Sequence, residues 1–365
     1  MRLTTRRSYL KGAGASTIIG LAGCLDGSNT SESSNGNEET SSAVGTTESN
    51  ESVTLTVSEF LPKEGATAEN GIREFKRLVE ERTDNQVKLD ITYGAQMGPP
   101  GDQTSLVRGK TVDMASTLPA YESETLPLSN IVNIPATFDR SETVEAAKKF
   151  FDMLSSGILL EQEYNSLNIQ PVMCNMSTPY QLGTSEKKIS TTDDWDGYVV
   201  RSPGATASIG LNALGASPQE MSGPDAYQAL TRGTVDGVIV FLNSLYNRDF
   251  YEALSYATTN AHLGTFGVVY SMNQEVFNEL SDERQQILLE AGKDASVNFA
   301  EGTLEQDENA VPKLQENGVE TYELPEDTLT EWGETMLEAI SNQWLKQMSN
   351  DSANEVWEEW TNYWK

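Results

Sequence analysis

Hydrophobic and polar positions alternate where the chain first becomes patterned: Val53, Leu55 and Val57 share one face of a strand. Ile72, Phe75 and Val79 then recur at helical spacing until Thr83-Asp84-Asn85 interrupts them. Val87, Leu89, Ile91 and Tyr93 alternate as a second strand, and a helix with Leu106 and Val107 leads to Gly109. Residues 112–115 make a third short strand. Strand, helix, strand, helix, strand predicts a parallel α/β unit. Helical material over 142–163 comes next, then a strand over 169–173. Further on, 263–272 is β-rich, 273–280 and 282–291 are helical, and 314–320 reads as a helix end feeding a last strand. Leu329, Trp332, Met336, Ile340 and Trp344 form a helical packing face, with a shorter tail of Val356, Trp357, Trp360 and Trp364.

The stretch from Trp195 to Gly237 organises the rest. Tyr198, Val199 and Val200 form a β-rich run that brings Arg201, Ser202 and Pro203 to a strand end. A helix with Ile209, Leu211 and Leu214 closes at Gly215, and Ala216-Ser217-Pro218 makes the exit turn. A second helix over 224–230 stops before Gly233, and Val235-Asp236-Gly237 starts a new strand. Open α/β sheets bind ligands at such strand ends. The planar fork of an arginine there suits a carboxylate, although most arginines simply pair with a surface acid.

The termini and the charge add a setting. Thr5-Arg6-Arg7-Ser8-Tyr9-Leu10-Lys11 resembles a twin-arginine export signal, and the weakly apolar segment behind it is too short for a stable span. Leu21-Ala22-Gly23-Cys24 resembles a lipobox, in which cleavage exposes Cys24 for lipid attachment. Residues 1–24 are therefore read as a signal, and 25–52, almost all Ser, Thr, Asn, Gly and Glu, as a disordered tether. Asn29 and Asn50 stand in glycosylation sequons there. The 365 residues leave room for two lobes. With 25 Lys and Arg against 55 Asp and Glu, the net charge is −30, which excludes affinity for nucleic-acid phosphates. Acidity spread over the whole length fits a haloarchaeal kind of proteome, because salt screens the self-repulsion.

Enzymatic chemistry finds no foothold. Once Cys24 is lipidated, Cys174 is the remaining cysteine and reads as a small buried apolar residue. His262 is the sole histidine, so the usual zinc or iron ligand sets cannot be assembled. No nucleophile elbow or Walker loop occurs, and neither metal nor cofactor is expected.

The run DGYVVRSPG, then LGASPQEM, then AYQALTRGTVDG resembles the substrate-binding proteins of TRAP transporters, the DctP family. The first-lobe runs Gly94-Ala95-Gln96-Met97-Gly98 and Gly109-Lys110-Thr111-Val112-Asp113-Met114 resemble it too, as does Asn133-Ile134-Pro135-Ala136-Thr137-Phe138. The resemblance implies a two-lobed, type II-like periplasmic-binding-protein fold, each lobe a sheet flanked by helices, with a ligand cleft between them. It places lobe I at 53–175 plus 263–325, and lobe II at 176–262 plus the C-terminal helices 326–365. His262 would lie where the chain crosses back between lobes, in a hinge or core role. Arg201 aligns with the family's carboxylate-binding arginine. Phe60, Gln96, Leu118, Tyr180, Gln181, Gly223 and Val240 complete the candidate ligand-binding set. Known dicarboxylate and sialate binders carry a second arginine where this chain has Tyr180 or Gln181, an asparagine at Val240, and often an aromatic residue at Gly223. An unpaired buried carboxylate costs several kcal/mol, so a monocarboxylate is favoured over a dicarboxylate. The implied function is capture of an organic anion and delivery to small and large TRAP membrane subunits, by a protein lipid-anchored outside the cell membrane. The alternatives are a sensory or receptor-associated binding protein of the same fold, or a secreted α/β enzyme.

Overall fold

The computed structural model describes residues 52–63, 69–348 and 351–364. The signal with Arg6, Arg7 and Cys24, the sequons at Asn29 and Asn50, and the tether through residue 51 lie outside the described residues. Eleven strands follow in chain order among those described: β1 (Val53–Ser58), β2 (Val87–Thr92), β3 (Met114–Thr117), β4 (Ile169–Met176), β5 (Gln181–Thr184), β6 (Val199–Ser202), β7 (Ser217–Glu220), β8 (Gly237–Val240), β9 (Tyr256–Thr258), β10 (Gly267–Asn273) and β11 (Glu320–Tyr322). They form a five-stranded sheet, β2-β1-β3-β10-β4, and a six-stranded sheet, β11-β9-β5-β8-β6-β7. Each is flanked by helices. This is the expected two-lobed α/β class.

The first three strands are parallel, as the sequence pattern predicts, with Leu55 opposite Leu89 and Val57 opposite Met114. β10 then runs antiparallel between β3 and β4, so the sheet is mixed. Phe75 and Val79 of the helix Glu74–Arg82 bury completely against it. Each such side chain contributes ~1.5–3 kcal/mol on leaving water. In the second sheet β6 lies parallel between β7 and β8, so the β-α-turn-α-β order read from the central stretch gains a strand at its turn.

Several readings change. Residues 217–220 are not a turn but the edge strand β7, pairing Pro218 with Val200; an edge position tolerates a proline that lacks an N–H. The helix expected over 282–291 continues to Glu316, a run of 35 residues. At 1.5 Å per residue it spans about 50 Å, and it carries the chain from one sheet to the other. β11 therefore pairs with β9 in the second sheet, so the assignment of 263–325 to lobe I fails at its end. The C-terminal helices also divide. Glu326–Met348 packs on the second-lobe helix Ala205–Ala213, while Asp351–Thr361 sets the fully buried Trp360 against Phe138 and Phe150.

A buried acid shapes the wall of the first lobe. Glu163 accepts from the backbone N–H of Leu128 (2.6 Å) and Ser129 (3.1 Å) and from the Ser129 hydroxyl. It thereby fixes the turn Ser129–Asn133. Burial pushes its carboxyl up to about 7, and the donors at Ser129 and Leu128 oppose that rise only in part. The folded state thus holds a proton between the ordinary glutamate value and about 7, which the unfolded state has lost. This stability is complete below the ordinary value and disappears as pH rises through about 7, a change of ~3 kcal/mol. Urea unfolding of wild type and Glu163→Gln between pH 4.5 and 8 tests this. The wild-type stability should fall relative to the variant by that amount over that range, and parallel curves would refute the assignment.

Candidate ligand-binding cleft

Residues 199–202 alternate, so Arg201 points to the face opposite Val200 and Ser202. Its side chain is pinned from two sides: Nε donates to the Met221 carbonyl at 3.0 Å and Nη1 to the Ile239 carbonyl at 2.8 Å. The residue is 4% exposed. Burial pulls its affinity for the proton below the ordinary arginine value; the phenols of Tyr180 and Tyr121 oppose that shift and Arg248 adds to it. Among the described residues no carboxylate forms an ion pair with Arg201. A guanidinium has five N–H donors, so the two carbonyls leave the remainder at its Nη1 and Nη2 end. That end can take a carboxylate by two parallel hydrogen bonds.

A narrow cavity of about 50 Å³ opens beside Tyr180 between the two lobes. The second lobe contributes Tyr180 and residues 203–207, where the helix Ala205–Ala213 begins. No side chain caps that helix start, so its first N–H groups add partial positive charge to the wall. The first lobe contributes Ala120, Ser123, Asn130 and Asn133, and the returning crossover contributes Thr265 and Phe266. Asn130 donates to the Pro119 and Leu126 carbonyls, and Asn133 donates to Asn130 Oδ1. Tyr180 stacks on Phe241 with ring centroids 4.7 Å apart, and Tyr121 tilts against Phe266 at 5.9 Å. Among the lining residues Tyr180 and Phe266 present rings and the helix start presents partial positive charge, while the buried Arg201 lies outside the lining.

The candidate residues separate on this geometry. Tyr180 lines the cavity, Arg201 and Gly223 lie on the second lobe about Met221, and Val240 ends β8 buried in the second-lobe core. Gln181 is fully engaged elsewhere. Its Nε2 donates to Pro179 and Ala261 carbonyls, and its Oε1 accepts from Thr258 Oγ1 and Ala261 N. It ties the two crossovers together. Leu118 is completely buried in the first-lobe core, where its carbonyl shapes the turn that presents Tyr121. Phe60 is half-buried against the same core with its N–H on Ser116 Oγ, and Gln96 is exposed on the loop after β2.

Tyr121, Phe241, Phe266 and Arg248 were missed. For Phe241 a signal existed, since it directly follows the carboxyl end of an apolar strand, where open α/β sheets bind ligands. Tyr121, Phe266 and Arg248 lie on turns and helix ends without periodicity. Cys174 is buried with its thiol pushed up to about 12 by desolvation, which makes it inert as a nucleophile. His262 sits at the second crossover, 3.4 Å from Asp139, and burial lowers its basicity. No group of metal-ligating side chains gathers among the described residues.

Comparison with known proteins identifies the family. A solute-binding protein of Sulfitobacter sp. is 29% identical over 67% of this chain and 72% of its own length. The structure of a TRAP periplasmic solute-binding protein from Sulfitobacter sp. with bound β-D-galacturonate superposes with a TM-score of 0.70 at 19% identity, covering 85% of this chain and all of that one. A TRAP solute-binding protein from Rhodoferax ferrireducens, in complex with copurified benzoate, gives 0.71 at 18% identity over 85% of this chain and 97% of its own. The DctP family, described as bacterial extracellular solute-binding protein, family 7, matches residues 57–347. With that match over most of its length, the chain belongs to the DctP family of extracytoplasmic solute-binding proteins that work with TRAP membrane subunits, and it is not an enzyme.

Proposed function

We propose that this protein captures an organic monocarboxylate between its lobes through an Arg201 clamp and hands it to TRAP membrane subunits while tethered outside the cell membrane by a lipid on Cys24. The observation that carries the reading is the buried, doubly anchored Arg201 guanidinium with no carboxylate partner among the described residues. A buried charge without a counter-ion is costly, and a ligand carboxylate supplies one. The aromatic pairs favour an apolar or modestly polar body. Closure of the lobes about the crossovers would then exclude water from the ion pair.

Calorimetric titration in molar salt, with the acid that copurifies and is identified by mass spectrometry, tests the clamp. Arg201→Ala should weaken binding ~30-fold to several thousandfold, a loss of ~2–5 kcal/mol. Arg201→Lys should recover only part, because the ammonium keeps charge and loses the fork. Arg201→Ala also strands the Met221 and Ile239 carbonyls, so its fold is checked by circular dichroism. Arg232, exposed with its Nη2 on Gln228, is the control and should change affinity less than threefold. An intact Arg201→Ala protein with wild-type affinity removes the clamp.

Two further outcomes concern the setting. With a net charge of −30, the melting temperature should fall steeply as salt drops from molar to ~0.1 M, where screening weakens; a flat profile counts against adaptation to high salt. Cys24→Ser should appear in the soluble fraction or as unprocessed precursor on immunoblots of fractionated cells. Wild-type membrane retention of that variant excludes the lipid anchor.

A further inference from the structure

A second guanidinium stands beside Arg201. Arg248 follows the helix Leu242–Asn247, and its Nη1 fills the space that a side chain at residue 223 would need. A Cβ added to Gly223 would lie 2.7 Å from Arg248 Nη1 and 3.7 Å from its Cζ. Gly223 in turn opens the helix Gly223–Thr231, two residues after the Met221 whose carbonyl holds Arg201 Nε. The two arginines therefore flank one short segment of backbone. The positive charge of Arg248 reaches both neighbours: it disfavours protonation of Arg201 and favours ionisation of the Tyr180 phenol. Arg248 is exposed, and among the described residues its side chain forms no ion pair. Both arginines, each without a carboxylate among the described residues, thus act on Tyr180, which lines the cavity between the lobes.

Their accessibilities differ, and this divides the work. Arg201 is buried and fixed by two carbonyls, so it can offer a rigid fork to one carboxylate. Arg248 has a free, solvated head on a flexible stem beside a glycine, so it can reach an oxygen farther along the same molecule. We propose that Arg248, admitted to the cleft wall by the missing side chain at Gly223, is a second ligand contact that reads an acceptor oxygen on the acid's body and selects hydroxy or keto monocarboxylates over bare ones. The inference rests on the Arg201 clamp for the carboxylate end. A site that hydrogen-bonds a ligand oxygen discriminates against the analogue lacking it, because its own donors are then left unpaired.

Matched acids test this: phenylacetate against mandelate and phenylglyoxylate, and propionate against lactate and pyruvate, by calorimetry in molar salt. The wild type should prefer the oxygenated member of at least one set by tenfold or more. Arg248→Gln should bring that ratio to within threefold while changing affinity for the bare acid less than threefold. Gly223→Phe, which must push Nη1 out of its place, should reproduce the collapse. Because the Arg248 side chain makes no hydrogen bond among the described residues, Arg248→Gln should melt as wild type does, which separates a ligand contact from a loss of fold. An unchanged ratio in Arg248→Gln, or a wild type indifferent to the oxygen, overturns the proposal. Arg201→Ala distinguishes the two readings. If that variant binds normally while Arg248→Gln loses the ratio, the clamp fails and the second contact stands. If wild type binds none of these acids at about 10 mM, the monocarboxylate reading and this one fall together.

Discussion

The architecture depends on one close approach between a helix and a strand. A Cβ at Gly292 would sit 1.6 Å from the Val172 carbonyl oxygen, so the helix Asp282–Glu316 can lie on β4 only because that position has no side chain. One turn on, Ser296 Oγ accepts from Cys174 N and donates to the Gly292 carbonyl, which locks the same contact by hydrogen bonds. From there the helix crosses every core in turn. Leu288, Ala291 and Ala295 pack in the first-lobe core, Ala300 in the central one, and Leu314 in the second-lobe core. Asp307, also on this helix, accepts from Asn243 N and Nδ2 and so secures the start of Leu242–Asn247, the helix that ends at Arg248. The placement of the cleft thus follows from packing laid down far from it.

The crossovers add the second constraint. Gln181 joins them by using both ends of its amide on the two strands of chain, and His262 passes its carbonyl to Ala136 N beside them. A polar staple of this kind holds two segments in register without filling the space between lobes. Hinge motion needs a few positions that absorb backbone change, and a satisfied network defines where those positions end. On the first-lobe side Glu163 does similar work. It holds the turn from which Asn130 and Asn133 face the cavity.

Where burial is periodic, the sequence was legible. The parallel β1-β2-β3 unit, the strands β6 and β8 with the helices between them and the apolar face of Glu326–Met348 all follow from spacing, and they fix the fold class. What stayed hidden depends on contacts between distant segments. Nothing local distinguishes residues 217–220 as a strand, because its apolar pattern is absent and its pairing with β6 decides it. The helix beyond residue 291 is weakly amphipathic because it touches cores on successive sides, so no single stripe marks it. In the cleft, Arg201 was visible at a strand end. Gln181 was drawn in as a ligand residue because Tyr180 or Gln181 stands where known dicarboxylate and sialate binders carry a second arginine, and engagement of its amide with Ala261 cannot be read from spacing. Arg248 was passed over for the converse reason. Its neighbour in space is Gly223, and a glycine shows in sequence only as a missing side chain.

A chain with a net charge of −30 that binds an anion needs an electrostatic explanation, and the distances supply it. The carboxylates are spread over the surface, a minority of them paired in contacts such as Lys76 with Glu80 and Arg77 with Glu74 and Glu81. At 1 M salt the Debye length is ~3 Å, so their repulsion of an approaching acid dies away within about one water layer. Arg201 is affected differently. It lies out of solvent beside Tyr180, where mobile ions cannot enter and the effective dielectric is lower. Salt therefore removes the long-range repulsion and leaves the short-range attraction largely intact. At low ionic strength the balance reverses for the encounter, because the surface field then reaches ~10 Å or more into solvent while the buried guanidinium acts only at contact. Acidity spread over the surface thus opposes the approach of an anion chiefly where salt is dilute, while a buried cation acts at contact in either case.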